Sequence, residues 1–235
     1  MCGRYVAPDE AAAERFWHIG RRSGNPLEPR YNVAPTTRVP MIVLTPDGVT
    51  ERQEARWGLV PFWWKHDTPP TLTFNARSEE AHQKPMWRQS LKDRRCIMPA
   101  VGWYEWNEKE KVKGPSGRPC FQPYFHYSPE CAVLGIAGLW AVWERKDAEP
   151  LVSCALTTKA AAPSVAAIHH RMPVILKREY FAAWLDPATS EHDVQGMIAD
   201  SEQHFEWYAV STRVNNARNE GPELMAKLSA ATLFD

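Results

Sequence analysis

Cys2 stands directly behind the initiator methionine in the opening MCGRYVAPDE. Initiator methionine is ordinarily trimmed when the next residue is small, so the working chain is expected to begin with Cys2. A cysteine at a free N-terminus is a 1,2-aminothiol, whose amine titrates near about 7.7–8.0 and whose thiol titrates near about 8.5. Near neutral pH a useful fraction of the amine is neutral and attacks an aldehyde to give an imine. The adjacent thiol then closes on the imine carbon to form a five-membered thiazolidine. An internal cysteine cannot do this, because its nitrogen is an amide. Position alone is weak support, since chain termini are commonly frayed. The neighbours strengthen it: Gly3, Arg4 and Tyr5 supply a flexible residue, a phosphate-seeking cation and an aromatic.

Three further clusters hold residue types that such chemistry needs. FNARSE (74–79) offers Asn75 as a neutral hydrogen-bonding group and Arg77 as a cation. GWYEWNE (102–108) sets Glu105 between aromatics, where a desolvated carboxylate suits acid–base work near neutral pH. IHHRMP (168–173) offers His169, His170 and Arg171. In an extended segment the two imidazoles point to opposite sides, so only one of them faces a site. Each cluster is modest alone, because most enzymes contain a scattered Cys, His and Glu by chance.

These residues must be positioned by a fold, and the chain is long enough to build one. Its 235 residues, 44% hydrophobic and 24% charged, with 28 basic and 28 acidic side chains, describe a globular protein rather than a disordered one. Zero net charge argues against a polybasic binder but leaves room for a local basic groove. No apolar run reaches the roughly 18 residues a membrane span needs, and the N-terminus lacks the pattern of a secretory signal. The five cysteines form no C-x-x-C pair and no zinc-finger spacing, so no metal or other cofactor is expected. An odd count fits reduced thiols in the cytoplasm. Most of the 11 Trp are expected in the core.

Residues 9–18 read as a short helix capped by Asp9, and 20–36 as loop. VPMIVL (39–44) and 49–60 read as strands joined by TPDG, and 61–73 as an irregular loop. Residues 78–91 are helical with a break at Pro85. Residues 94–106 read as a strand and 107–119 as a polar surface loop. FQPYFHY, CAVLGIAGLWAVW and LVSCALTT are strand-like. Residues 177–185 and 193–203 are helical, with Tyr180, Phe181 and Trp184 on one face, and 205–211 is a strand. The pattern lacks regular βαβ alternation. It points to α+β, a single domain over 1–235 with a curved, mostly antiparallel, barrel-like sheet and peripheral helices.

With these blocks in view, the sequence resembles the SOS-response-associated peptidase (SRAP) family of abasic-site processing proteins. The likeness runs through Met1-Cys2-Gly3-Arg4-Tyr5, Arg30-Tyr31-Asn32-Val33-Ala34-Pro35, Trp57-Gly58-Leu59-Val60-Pro61 and Asn75-Ala76-Arg77-Ser78-Glu79. It continues through Arg95-Cys96-Ile97-Met98-Pro99, Gly102-Trp103-Tyr104-Glu105-Trp106, His169-His170-Arg171-Met172-Pro173 and Val214-Asn215-Asn216. The resemblance implies that Cys2, exposed after loss of Met1, couples to the open-chain aldehyde of an abasic deoxyribose in single-stranded DNA. The product is a thiazolidine DNA–protein cross-link that shields the lesion in the DNA damage (SOS) response. Asn75 matches the residue that holds the sugar and the N-terminus, Glu105 the acid–base carboxylate, and His169 the proton shuttle. Arg4, Arg77 and Arg171 fall at strand-contacting positions, and Pro35, Trp63 and Trp64 where apolar side chains meet unstacked bases. The resemblance further implies a monomer that acts on DNA in the cytoplasm, with lyase activity and autoproteolytic removal of Met1 as accompanying activities. The charged 107–119 segment is where this chain departs most from the pattern.

Two other readings compete. An N-terminal-nucleophile cysteine peptidase or amidase would use Cys2, His169 and Glu105 on an amide rather than an aldehyde. A non-catalytic single-strand binder would use Trp63 and Trp64 and keep all function without Cys2.

Overall fold

The computed structural model describes residues 2–16, 21–22 and 28–229. In chain order the strands are β1 (Tyr5–Ala7), β2 (Arg21–Arg22), β3 (Arg30–Val33), β4 (Arg38–Leu44), β5 (Thr50–Trp57), β6 (Asn75–Arg77) and β7 (Arg95–Ala100). They continue with β8 (Gly102–Lys113), β9 (Pro119–Tyr127), β10 (Leu134–Arg145), β11 (Ala148–Ala160), β12 (Arg171–Pro173), β13 (Ile175–Leu176) and β14 (Glu206–Ala209). The helices are α1 (Glu10–Phe16), α2 (Ser78–Ala81), α3 (Arg88–Asp93), α4 (Phe181–Leu185) and α5 (Glu191–Ala199).

Strands β4, β5, β11, β10 and β7 pair in a ring that closes where β7 returns to β4, a small barrel. Closure removes the free edges that an open sheet would expose. The ring is antiparallel except for the β5–β11 contact, and β6 also joins β11 in parallel. A second sheet, ordered β14-β9-β8-β1-β3, is antiparallel throughout. The fold is the expected α+β arrangement with a curved, mostly antiparallel sheet.

Side-chain alternation along each barrel strand separates two cores. Met41 and Val43, Cys96 and Met98, Leu134 and Ile136, and Cys154 and Leu156 point inward with Cys2, Tyr5, Trp57 and Trp103. Ile42, Ile97, Ala137, Leu139 and Ala155 point outward beneath Leu91, Trp184, Val194 and Ile198 of the helices. A third cluster, with Val6, Tyr104 and Phe125, covers the far face of the second sheet. Trp57, Trp103 and Trp184 are fully buried and Trp87 and Trp143 are buried, whereas Trp64, Trp106 and Trp140 are half-buried and Trp63 and Trp207 exposed, so fewer tryptophans lie in the core than expected. The helices start where the capping side chains stand. Asp9 Oδ1 accepts from Ala12 N at 2.6 Å, and Ser190 Oγ accepts from Asp193 N at 3.1 Å.

Several local expectations change. Within the stretch read as loop, Arg30–Val33 forms β3, because pairing with β1 buries Val33 opposite Tyr5. Residues 20 and 23–27 of that stretch, and 17–18 of the first helix, lie outside the described residues. The strand read over 94–106 divides at Val101 into β7 and β8, which enter different sheets. The polar segment 107–119 is mostly strand: β8 runs to Lys113, turns through 114–118 and returns as β9. A projecting hairpin satisfies its own backbone, so its side chains can remain charged in water. A bulge between Asn107 and Lys111 resets the register at its base. The 177–185 helix begins as a 3-10 turn over Arg178–Tyr180 and buries Phe181 and Trp184, while Tyr180 remains partly exposed.

Candidate functional site

Four residues from four distant segments converge at the inner face of the second sheet. Cys2 is 1% exposed and packs in the inner core. Asn75 opens β6, whose parallel pairing with β11 sets it opposite Leu156. From there its Nδ2 donates to the Cys2 carbonyl at 3.0 Å, while its buried Oδ1 has no hydrogen-bond partner. Glu105 lies on β8 opposite Tyr124 of β9 and is 1% exposed. Burial first, and then the charge and hydrogen bond of Glu105, push the Cys2 thiol well above its ordinary range.

His169 completes the group, with Nδ1 3.9 Å from Glu105 Oε1. The Arg171 amide donates to the same Nδ1 at 3.0 Å, and the Arg171 carbonyl lies 3.1 Å from it. A neutral ring therefore accepts the amide at Nδ1 and carries its proton on Nε2. His170 is exposed, its ring 4.4 Å from that of His169. Of the two imidazoles only that of His169 is buried toward Glu105, and turns rather than an extended strand bring this about.

The expected strand contacts divide. Arg77 is exposed at the end of β6, two residues beyond Asn75. Trp63 is 41% exposed, beside Phe62 at 54%. Trp64 is anchored, with Nε1 donating to Thr68 O at 2.8 Å and its carbonyl accepting from Trp143 Nε1 at 2.9 Å. Pro35 is half-buried, next to Thr36 at a φ of 74°. Arg4 turns inward: its Nη1 donates to Asn32 Oδ1 at 3.0 Å and to the Val214 carbonyl at 2.7 Å, tying the N-terminal strand to the segment after β14. Arg171 is held by Glu79 through two hydrogen bonds of 2.6 and 2.9 Å. Sequence reasoning passes over Glu79 because nothing local links it to a residue 92 positions away. It misses His126 as well. That residue is 0% exposed, stacked on Trp103 at 5.0 Å, and close enough to His169 to feel its charge. Among the described residues no group of three or more His, Cys, Asp or Glu is placed to hold a metal ion, and no helix is long and apolar enough to cross a membrane.

A closed barrel joined to a second sheet, with an N-terminal cysteine against a buried carboxylate and an imidazole, defines a class of α+β protein built around its own first residues. The chain belongs to the SOS response associated peptidase (SRAP) family, whose profile matches residues 1–217. It is 32% identical over 231 residues to the abasic site processing protein YoqW of Bacillus subtilis, covering 96% of this chain and 99% of that one. It is 32% identical over 232 residues to the abasic site processing protein HMCES of Gallus gallus, covering 85% of this chain and 66% of that one. A solved protein from Bacteroides thetaiotaomicron shares the fold, with a TM-score of 0.78 at 24% identity over 97% of this chain and all of that one. A solved phage-related protein of Bordetella bronchiseptica superposes with a TM-score of 0.68 at 27% identity, over 97% of this chain and 99% of that one.

Proposed function

We propose that the chain processes abasic sites in single-stranded DNA by forming a thiazolidine cross-link through Cys2 once Met1 has been removed. The observation that carries this reading is the placement of Cys2 between the Asn75 amide on its carbonyl and the Glu105 carboxylate beside its thiol, with His169 behind Glu105. Two relatives named as abasic site processing proteins support it.

An abasic sugar is mostly a closed hemiacetal, so one proton must leave the anomeric hydroxyl and one must reach the ring oxygen before the aldehyde appears. The Glu105–His169 pair suits both transfers. The Cys2 amine adds to the aldehyde carbon to give a carbinolamine, which loses water to become an imine. The thiol sulfur then bonds to that carbon while its proton passes to the nitrogen. The net reaction releases one water. The Oδ1 of Asn75 is available to a sugar hydroxyl. Arg77 offers a cation to the backbone, and Trp63 an aromatic face worth about 1–3 kcal/mol to a stacked base.

The raised thiol argues against the peptidase reading. A cysteine peptidase attacks as a thiolate held low by a neighbouring imidazolium, whereas Cys2 is buried against a carboxylate that disfavours the thiolate. Amine-first chemistry needs no thiolate until ring closure, when Glu105 can take the proton as sulfur attacks.

The test is incubation of purified protein with an abasic single strand, followed by denaturing electrophoresis. Wild-type protein is expected to give a denaturation-resistant adduct. Cys2→Ser is expected to give none that persists, because an oxazolidine is less stable than a thiazolidine. An uncleaved residue ahead of Cys2 should block the amine and the adduct with it. Normal cross-linking by that extended form would refute the aminothiol mechanism.

A further inference from the structure

Glu79 and Arg171 are 92 positions apart in the chain and meet side chain to side chain. Glu79 lies in the first turn of α2, two residues after Arg77, and Arg171 opens β12. Nη1 of Arg171 donates to Glu79 Oε1 at 2.6 Å, and Nη2 donates to Oε2 at 2.9 Å, a two-pronged fork on a carboxylate. Nη2 also donates to the Thr158 carbonyl at 2.9 Å and reaches Thr158 Oγ1 at 3.3 Å. The two partners are held unequally. The Arg171 side chain is 12% exposed, whereas that of Glu79 is 49% exposed. Glu79, which also draws on its own amide and on the Ala160 backbone, can swing into solvent without disturbing a core, while Arg171 stays fixed on β11.

A carboxylate seated in a guanidinium fork occupies the place, and offers the charge, that two oxygens of a phosphodiester would take. The Arg171 hydrogen bonds hold the Glu79 carboxyl below its ordinary range, as expected of an anion in its own binding site. The residue that carries the fork adjoins the candidate site, because its backbone amide donates to His169 Nδ1.

We infer that Glu79 is a built-in stand-in for a backbone phosphate: it fills the Arg171 fork in the strand-free protein, and a phosphodiester beside the reacting sugar displaces it. This rests on the single-strand reading above and adds a regulatory element to it. The exchange weakens every strand that approaches, and it favours those that deliver a phosphate to the fork. It also keeps Arg171 oriented, and with it the amide that sets the His169 ring, before DNA arrives.

The experiment is a binding titration of an intact, lesion-free single strand by fluorescence anisotropy across a range of salt concentrations. The proteins are wild type, Glu79→Gln, Glu79→Ala, Arg171→Ala and the Glu79→Gln/Arg171→Ala double variant, each checked by thermal melting. Both Glu79 variants are expected to bind about three- to tenfold more tightly at low salt, in line with removing a half-exposed ion-pair competitor. Because the phosphate reaches the fork in the wild-type protein as well, their plots of log affinity against log salt should keep the wild-type slope, whereas Arg171→Ala should flatten it by about 0.7, the value for one phosphate of a single strand. The double variant should match Arg171→Ala, with no gain of its own. Weaker or unchanged binding in both Glu79 variants, or a slope in Arg171→Ala that does not flatten, would overturn the inference and make the pair a brace. A gain that survives without Arg171 would also overturn it, since Glu79 would then repel DNA without using the fork. Absence of binding by the wild-type protein would defeat the single-strand reading as well, whereas the other outcomes bear on Glu79 alone.

Discussion

At the scale of single residues, Glu105 and His169 are both buried and 3.9 Å apart, whereas His170 is exposed, and the reading proposed above gives the proton transfers to the buried two. General acid–base groups typically contribute about 10²- to 10⁴-fold to a rate. Glu105→Gln and His169→Ala are therefore expected to slow cross-linking by about that factor while leaving affinity for an intact single strand nearly unchanged. His170→Ala, which alters an exposed ring, should cost much less. Single-turnover adduct formation beside a separate binding titration distinguishes the cases. Equal slowing by His169→Ala and His170→Ala would remove His169 from its assigned role. A loss of binding that accounts for the whole loss of rate would make both residues positioning groups. The clusters FNARSE, GWYEWNE and IHHRMP supply suitable residue types in the sequence, but each is modest alone, and it is the family resemblance that gathers them into one site. Arg4 is legible as a cation but not as an inward tie, since its partners Asn32 and Val214 are supplied by distant segments.

At the scale of elements, β8 is the part that aims Glu105, and its start depends on Gly102. A Cβ added there would come within 2.3 Å of the His126 carbonyl oxygen and 2.5 Å of the Phe125 ring. Backbone cannot yield as a flexible side chain can, so Gly102→Ala must push β9 away from β8. We expect a loss of about 1–3 kcal/mol, the usual cost of overpacking, together with slower cross-linking as Glu105 shifts. Gly196 in α5 is the matched control. Nothing lies within 4 Å of an added Cβ there, and alanine is better than glycine inside a helix by roughly 0.5–1 kcal/mol. Gly196→Ala should therefore stabilise. Urea unfolding of both variants checks the opposite signs, and destabilisation by both would show that the close approach at Gly102 is not what matters. The 107–119 hairpin reads as loop in the sequence because its side chains carry no apolar alternation. Backbone pairing of Val112 with Cys120 and Lys113 with Pro119 holds it instead, and polar side chains do not advertise that pairing.

At the scale of the whole molecule, His126 links stability to pH. Its ring is fully buried on Trp103, and neither nitrogen makes a hydrogen bond of normal geometry. Burial lowers its pKa to about 3, against a weaker opposing pull from the nearby Tyr124 and Trp103 carbonyls, while His169 pushes it further down. In the unfolded chain an imidazole titrates near about 6.5. Between those values the unfolded state binds one more proton than the folded state. The stability this group contributes is thus complete above about pH 6.5 and is lost progressively as pH falls toward 3, with a slope approaching roughly 1.4 kcal/mol per pH unit. Denaturant unfolding at pH 7, 6 and 5 should show the decline, and His126→Phe, which keeps a ring against Trp103, should flatten it. An unchanged slope in that variant would assign the acid sensitivity to other groups.

What the sequence by itself determined is local and covalent. The place of Cys2 directly behind Met1 is written in the sequence whatever the fold, and so are the apolar runs that become β4, β7 and β10. The helix start at Asp9 is equally local, because a cap needs only the next three residues, whereas the helix read over 193–203 begins at Glu191 behind a Ser190 cap. Tertiary structure decided what lies next to what. Closure of the ring through β5 and β11, the parallel seat of Asn75 beside Leu156, and the arrival of His169 near Glu105 all join segments tens of residues apart. So does the meeting of Glu79 with Arg171. The physical reason is that hydrogen-bonded strand pairing and close packing are chosen by the free energy of the assembled chain. A carboxylate or an imidazole therefore acquires its burial, its partner and its proton affinity only when distant strands have come into register.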